Sequence, residues 1–368
     1  GSAVTAVRDP LVLAEGAPVD CAFAANIWTE ADFIPVDSIG DAARKLTAIQ
    51  RNWSLVPCGH FRRAALVAEK LPRVSARPLV FGQALPSAPL GAFTLWEDNL
   101  LLASPRTSQP VPGGVYRFEE DKTGPPSRAY LKLWELFTRL GVHPAPGELC
   151  LDMGGSPGGW SFVLAALGAR VFCIDKAPLA ENVDKNPLVS WCPGSAFGLD
   201  PRHAGAVDWL FSDVICYPER LYEWLSRWLT LGECRRFVLT VKLQGETDFA
   251  LLARFRAVPG SRLLHLSHNK HELTFVRLSA SRARRPGALS TGRGPAPRPR
   301  RRRSRQPRPA PAPTRPRPRA WPGNGSCRRP GLPGGRFPAP GRSGPRWARD
   351  RSDPAAPGCA GWWSGRPC

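Results

Sequence analysis

The stretch LDMGGSPGGW, residues 151–160, sets an acid, four glycines, a serine, a proline and a tryptophan in ten positions. Small residues at this density let a ligand lie against bare backbone. Two phosphate-binding patterns are absent. The glycines lack the spacing of a dinucleotide fingerprint, and no Lys-Ser or Lys-Thr follows as in a P-loop. A Pro-Gly-Gly corner suits a cofactor with no pyrophosphate to cradle. Asp175 closes the next apolar run, where a carboxylate can bind ribose hydroxyls. Together these features suggest S-adenosyl-L-methionine. The plainer alternative is a tight turn with a surface aspartate at a strand end, and the turn alone does not separate the two.

The elements around this turn alternate. Ser127, after Pro125-Pro126, is read as the N-cap of a helix carrying Leu133, Leu136, Phe137 and Leu140 at helical spacing. ELCLDM is a short buried strand, WSFVLAALG a helix ending at Gly168, and ARVFCID a second strand. VDWLFSDV and RRFVLTVKL are further strands, separated by the helix YPERLYEWLSRWLTLG. ETDFALLARFRAV is helical, and a strand pair around RLLHLSHNKHELTFVRLS turns near Asn269, so the last strand is antiparallel. Strands alternating with helices predict an α/β, doubly wound parallel sheet over residues 121–280. Residues 1–120 read as a small α+β module. VDSIGDAARKLTAIQRNW has helical periodicity at Ile39, Ala42, Ala43 and Leu46, and RPLVFGQAL and GAFTLWEDNLLLAS read as strands.

The net charge of +21 is misleading as a guide to this body. Residues 281–368 hold 22 Arg, no Lys and 2 Asp, so the first 280 residues are close to neutral. That tail, rich in Arg, Pro and Gly, has too few aliphatic residues to bury a core and is expected to be disordered. It reads either as a basic RNA-binding arm or as the out-of-frame product of a GC-rich gene. The second reading is preferred, and no function is built on it. Seven scattered Cys in the body form no C-x-x-C pair, so they read as reduced core thiols. No apolar run of 18 or more residues and no signal peptide is seen. The expectation is a cytoplasmic, monomeric protein with neither membrane nor metal among its partners. The opening Gly1-Ser2 in place of Met is read as a cloning scar or a fragment boundary.

Five motifs, in order, carry a resemblance over residues 124–279: GPPSRAYLKLWELF, LDMGGSPGGW, FSDV, LTVKL and HELTFVRL. In this series the chain resembles the FtsJ-like ribose 2′-O-methyltransferases, and among them the bacterial 23S rRNA cytidine 2′-O-methyltransferases of the RlmM type. Each motif alone is weak; their joint order is specific. The resemblance implies a Rossmann-like, S-adenosyl-L-methionine-dependent methyltransferase sheet acting on RNA, with large-subunit ribosomal RNA as the expected partner. It also implies a catalytic tetrad of Lys132, Asp213, Lys242 and Glu272.

These residue types suit the reaction so implied. A ribose 2′-hydroxyl must lose its proton as it attacks a methyl sulfonium. A lysine, with a reference pKa near ~10.4, serves as base only if that value falls. Lys242 is expected to be the general base, depressed by burial and by Lys132 as a neighbouring cation. Asp213 and Glu272 would position the two lysines. Cofactor contacts implied by the resemblance are Ser127, Gly154, Ser156, Pro157, Gly158, Gly159, Trp160, Asp175, Ser195 and Asp213.

Two departures stand out. Ser195 occupies the place after the third strand where relatives often carry an acid near the adenine. Gly155-Ser156 replaces a commoner Ala-Ala or Ala-Cys pair. RlmM-type enzymes carry a THUMP-containing RNA-binding region before the catalytic domain, and RPLVFGQALPSAPLGAF reads as a shortened remnant of it or as a packing module. Arg62, Arg63, Lys70, Arg73 and Arg77 offer a basic patch to RNA, or only a solvated helix face. The competing reading from another class is a non-catalytic RNA-binding protein on the same fold. A small-molecule methyltransferase is weakened by the second lysine, and a dinucleotide oxidoreductase by the glycine spacing.

Overall fold

The computed structural model describes residues 3–17, 20–75 and 77–278; the Arg-rich segment 281–368 lies outside them. The described chain begins with a hairpin, β1 (Ala3–Arg8) and β2 (Leu11–Glu15), that the sequence reading missed. A four-stranded sheet follows, with spatial order β3-β6-β5-β4. Its strands are β3 (Asp32–Pro35), β4 (Trp53–Leu55), β5 (Gly91–Glu97) and β6 (Leu100–Ser104). Helices α1 (Ile39–Ile49) and α2 (Phe61–Lys70) belong to the same module. Ser38 caps α1 by accepting the Asp41 N–H, and Ala42, Ala43 and Leu46 bury the predicted face.

One expected strand is absent. RPLVFGQAL forms no ladder; Leu79 makes a single isolated bridge to Phe118. Pro78, Pro86 and Pro89 stand in and just after this stretch, and each removes a backbone donor.

The second part is a seven-stranded sheet of order β12-β13-β11-β10-β7-β8-β9. In chain order its elements are α3 (Tyr130–Leu140), β7 (Leu149–Met153), α4 (Gly159–Ala166), β8 (Arg170–Asp175), α5 (Glu181–Asp184) and β9 (Val189–Pro193). They continue with β10 (Ala206–Ser212), α6 (Pro218–Leu231), β11 (Glu233–Lys242), α7 (Phe249–Arg256), β12 (Ser261–Leu264) and β13 (Glu272–Leu278). Strand β13 pairs antiparallel with both β11 and β12, as the turn near Asn269 predicted. The other pairings in this sheet are parallel.

Alternate residues of β10 enter opposite cores. Trp209 and Phe211 pack with Phe137 of α3 and Trp160 of α4, whereas Leu210 packs with Leu225 of α6 and Phe255 of α7. Helices on both faces make the sheet doubly wound, as expected. From β7 the chain runs outward through β8 and β9, then returns to β10 on the other side of β7. The crevice beyond the carboxyl ends of β7 and β10 is therefore a topological switch point, where ligands bind in open α/β sheets.

Ser127 is not the cap of α3. The helix starts at Tyr130 after a turn through Arg128 and Ala129, and its N-cap position makes no side-chain bond. The Ser127 hydroxyl lies instead against Gly159, only 2.4 Å from where a Cβ would stand on that glycine.

Candidate active site

Four side chains converge at the carboxyl edge of β10 and β11. Lys132 comes from the first turn of α3, Asp213 directly follows β10, Lys242 ends β11, and Glu272 begins β13. Lys242 and Glu272 are direct cross-strand partners. Lys132 Nζ lies 3.0 Å from Asp213 Oδ2 and 2.5 Å from Glu272 Oε1. Lys242 Nζ lies 2.6 Å from Asp213 Oδ1 and 2.6 Å from Glu272 Oε2. Each lysine thus touches both carboxylates. The four make a closed, formally neutral ring in which all members are largely shielded from water.

The ring's electrostatics differ from expectation. Burial pulls the Lys242 ammonium downward, but the carboxylates of Asp213 and Glu272 outweigh it, so Lys242 is held above the ordinary lysine value. The anticipated depression by Lys132 is lost because two anions stand between the cations. Burial likewise pushes Asp213 up, and Lys132 and Lys242 together bring it below the usual carboxylate range.

The glycine turn is crowded by the protein itself. A Cβ on Gly155 would come 2.5 Å from Asp152 Oδ2, and one on Gly154 would come 3.0 Å from the Val214 side chain. Gly154 and Gly158 also have φ of +82° and +108°, values that favour glycine. Trp160 is buried; its indole donates to the Ala129 carbonyl at 3.0 Å and packs edge-on against Phe211. Its side chain therefore joins the turn to the approach to α3, and its backbone is what it offers a ligand. Asp175 accepts the N–H groups of Ser156 and Ala177 at 3.0 and 2.9 Å. The Ser156 hydroxyl donates to the Pro178 carbonyl at 2.8 Å. Ser195 is exposed just beyond β9, its Oγ accepting from Phe197 N at 3.3 Å. Across the switch point, Ser212 Oγ donates to the Met153 carbonyl at 2.8 Å and pins β10 to β7.

Asp152 is the residue the motif reading passed over. It is 1% exposed, and its Oδ2 accepts from Ser161 Oγ at 2.6 Å. Its Oδ1 has no hydrogen-bond partner. Burial pushes its carboxyl up to about 7 despite the Ser161 bond. The signal was present: an acid at the end of an apolar strand in a position that must be buried.

These features fit a cationic cofactor. Asp152 is the last residue but one of β7 and Asp175 ends the neighbouring β8, and neither forms an ion pair with a described residue. The Asp152 carboxylate lies directly under Gly155 of the turn, and one of its oxygens, Oδ1, has no partner. Among the described residues no group of three or more His, Cys, Asp or Glu could hold a metal ion, and no helix is long and apolar enough to cross a membrane. Of the basic residues read as an RNA patch, Arg73 and Arg77 line a groove of about 390 Å³ with Arg117, while Arg62, Arg63 and Lys70 lie on α2.

Residues 125–222 match the model of the FtsJ-like methyltransferase family. The chain is 32% identical over 204 residues to ribosomal RNA large subunit methyltransferase M of Alkalilimnicola ehrlichii, covering 52% of this chain and 54% of that protein. It is 34% identical over 148 residues to the protein of the same name from Laribacter hongkongensis, covering 39% and 41%. The chain thus spans about half the length of the curated relatives it matches. Among solved structures, the fibrillarin pre-rRNA processing protein of Methanococcus jannaschii overlaps 38% of this chain and 69% of its own at 15% identity and a TM-score of 0.31, too distant to add to the fold described above. The resemblance read from the motif series is therefore found again by comparison, and the segment 125–222, which carries Lys132, the glycine turn and Asp213, is similar to the FtsJ-like methyltransferases.

Proposed function

We propose that this chain transfers a methyl group from S-adenosyl-L-methionine to a ribose 2′-hydroxyl of RNA, with large-subunit ribosomal RNA as the substrate. The observation that carries the reading is the closed Lys132–Asp213–Lys242–Glu272 ring at the switch-point edge. The family match spans Lys132 and Asp213 and ends before Lys242 and Glu272, and the names of the relatives indicate the RNA class.

When bound, S-adenosyl-L-methionine supplies an electrophilic methyl group. The residues that would hold it are Asp175 at its ribose, the backbone of Gly154 and Ser156–Trp160, Ser127 beside Gly159, Ser195 near the base, and Asp213. Lys242 is the group that takes the 2′-proton, and it must first be neutral. In the resting ring its two carboxylates keep it charged, so the proton must be released before turnover. Lys132 contacts the same two carboxylates and stays against them after Lys242 has lost its proton. Asp213 and Glu272 fix the Lys242 amine in one place, and such positioning contributes much of the rate in a displacement reaction.

The test is methyl transfer from labelled S-adenosyl-L-methionine to bulk ribosomal RNA by the full chain and by its Lys242→Ala variant. Alkali-resistant dinucleotides locate ribose methylation. Incorporation by the parent, reduced more than about 100-fold in the variant, is expected for removal of a general base. No transfer to any RNA would overturn the reading.

A further inference from the structure

The loop that follows Asp213 presents two large side chains to solvent beside the ring. Ile215 is 81% exposed and Tyr217 is 64% exposed. Ile215 is the most exposed large apolar side chain among the described residues. The residues between and before them point inward. Val214 packs against Gly154, and Cys216 is buried in the core beneath α6. Inward and outward side chains alternate, so Ile215 and Tyr217 share one outer side of the segment. Both ends of the segment are held: Ser212 is bonded to Met153, and Tyr217 is the residue on which α6 begins.

Nothing among the described residues covers this pair. Tyr217 makes no ring contact there, and its hydroxyl has no partner. Phe249, exposed to 69% at the start of α7, differs in having an edge-on contact with Phe23 at 6.4 Å. Four residues of extended chain span at most about 14 Å, which bounds the distance of the Tyr217 backbone from Asp213.

We propose that Ile215 and Tyr217 form the surface on which the base of the target nucleotide lies, with Tyr217 stacking on its face. The inference rests on the ribose-methylation reading above. A ribose whose 2′-oxygen faces Lys242 carries its base on the adjacent carbon, so the base must lie close beside the ring. An RNA base drawn out of its stack needs a substitute surface, and aromatic side chains supply it. The loop offers such a surface on a segment anchored to the same strand end as the reacting groups.

The experiment is steady-state methyl transfer to ribosomal RNA by the full chain and its Tyr217→Ala, Tyr217→Phe and Ile215→Ala variants, together with anisotropy of a labelled single-stranded RNA oligonucleotide. Tyr217→Ala should raise KM for RNA and weaken oligonucleotide binding about 10-fold, within the span measured for base–aromatic stacking. KM for S-adenosyl-L-methionine should not move. Tyr217→Phe should restore both RNA readouts, and Ile215→Ala should show a smaller loss. A Tyr217→Ala variant equal to an active parent overturns the proposal and leaves the function standing, as does a Phe variant as weak as the Ala variant. A parent that methylates no RNA sinks the function reading instead. Oligonucleotide binding then decides the surface: weakening by Tyr217→Ala alone supports it, and unchanged binding overturns it.

Discussion

Glu135 accepts the backbone N–H of Ser267 with both carboxylate oxygens, at 3.0 and 2.8 Å. This bond joins the helix that carries Lys132 to the segment leading into Glu272. Arg139 completes the network at 3.3 Å from Glu135 Oε1. Glu135→Ala would leave the part-buried Ser267 N–H without its acceptor and take the carboxylate from Arg139, whose guanidinium keeps only the His265 carbonyl at 3.0 Å. The expected cost is about 3 kcal/mol, seen as a lowered midpoint in denaturant. Glu135→Gln, which keeps one acceptor oxygen, should lose less.

Lys242→Arg separates charge from base chemistry. A guanidinium can still face Asp213 and Glu272, so the thermal midpoint should stay near that of the parent. It does not deprotonate in the accessible range. Methyl transfer should therefore fall by at least about 100-fold, as in the alanine variant. A transfer assay on the folded variant decides it; substantial activity would remove Lys242 as the base.

The parent's rate should rise with alkalinity. The two carboxylates hold Lys242 above the ordinary lysine value, so near neutrality only a small fraction is neutral. That fraction grows about tenfold per pH unit below the pKa. A kcat/KM profile from pH ~7 to ~9 should climb throughout. A flat profile would show that a different group limits the reaction.

Asp152 gives stability the opposite slope from a salt-bridged acid. Its folded value of about 7 lies above the unfolded one, so between roughly pH 4 and 7 the folded state holds a proton that the unfolded state has lost. Stability from this group is complete below that window and declines as pH rises through it. Asp152→Asn should abolish the decline. Denaturant titrations of parent and variant without cofactor, at pH ~5 and ~7.5, should show the variant gaining relative to the parent.

Local signals made much of this legible. The buried runs of β7 and β10, the glycine corner between β7 and α4, and the antiparallel β13 all follow from patterns within ten or so residues. The tetrad was legible only as a series of motifs, because Lys132 and Glu272 stand 140 positions apart. What sequence could not convey was who stands between whom. Two lysines suggested mutual depression of pKa, yet the carboxylates interpose and reverse the sign. Ser127 looked like a cap because the motif around it is right, but tertiary contact with Gly159 claims its side chain. In RPLVFGQAL, apolar residues suggested a strand while the prolines in and after it withheld the donors a ladder needs.

The position of β13 has a consequence for synthesis. Glu272 reaches Lys242 only once the last strand has slipped in between β11 and β12, and Lys132 waits from the first helix of the same sheet. A nascent chain released before that strand would carry two lysines facing a single aspartate, a surplus of positive charge in a place sheltered from water. The ring is therefore the last thing the sheet completes, and a product that stops short of β13 cannot carry it closed.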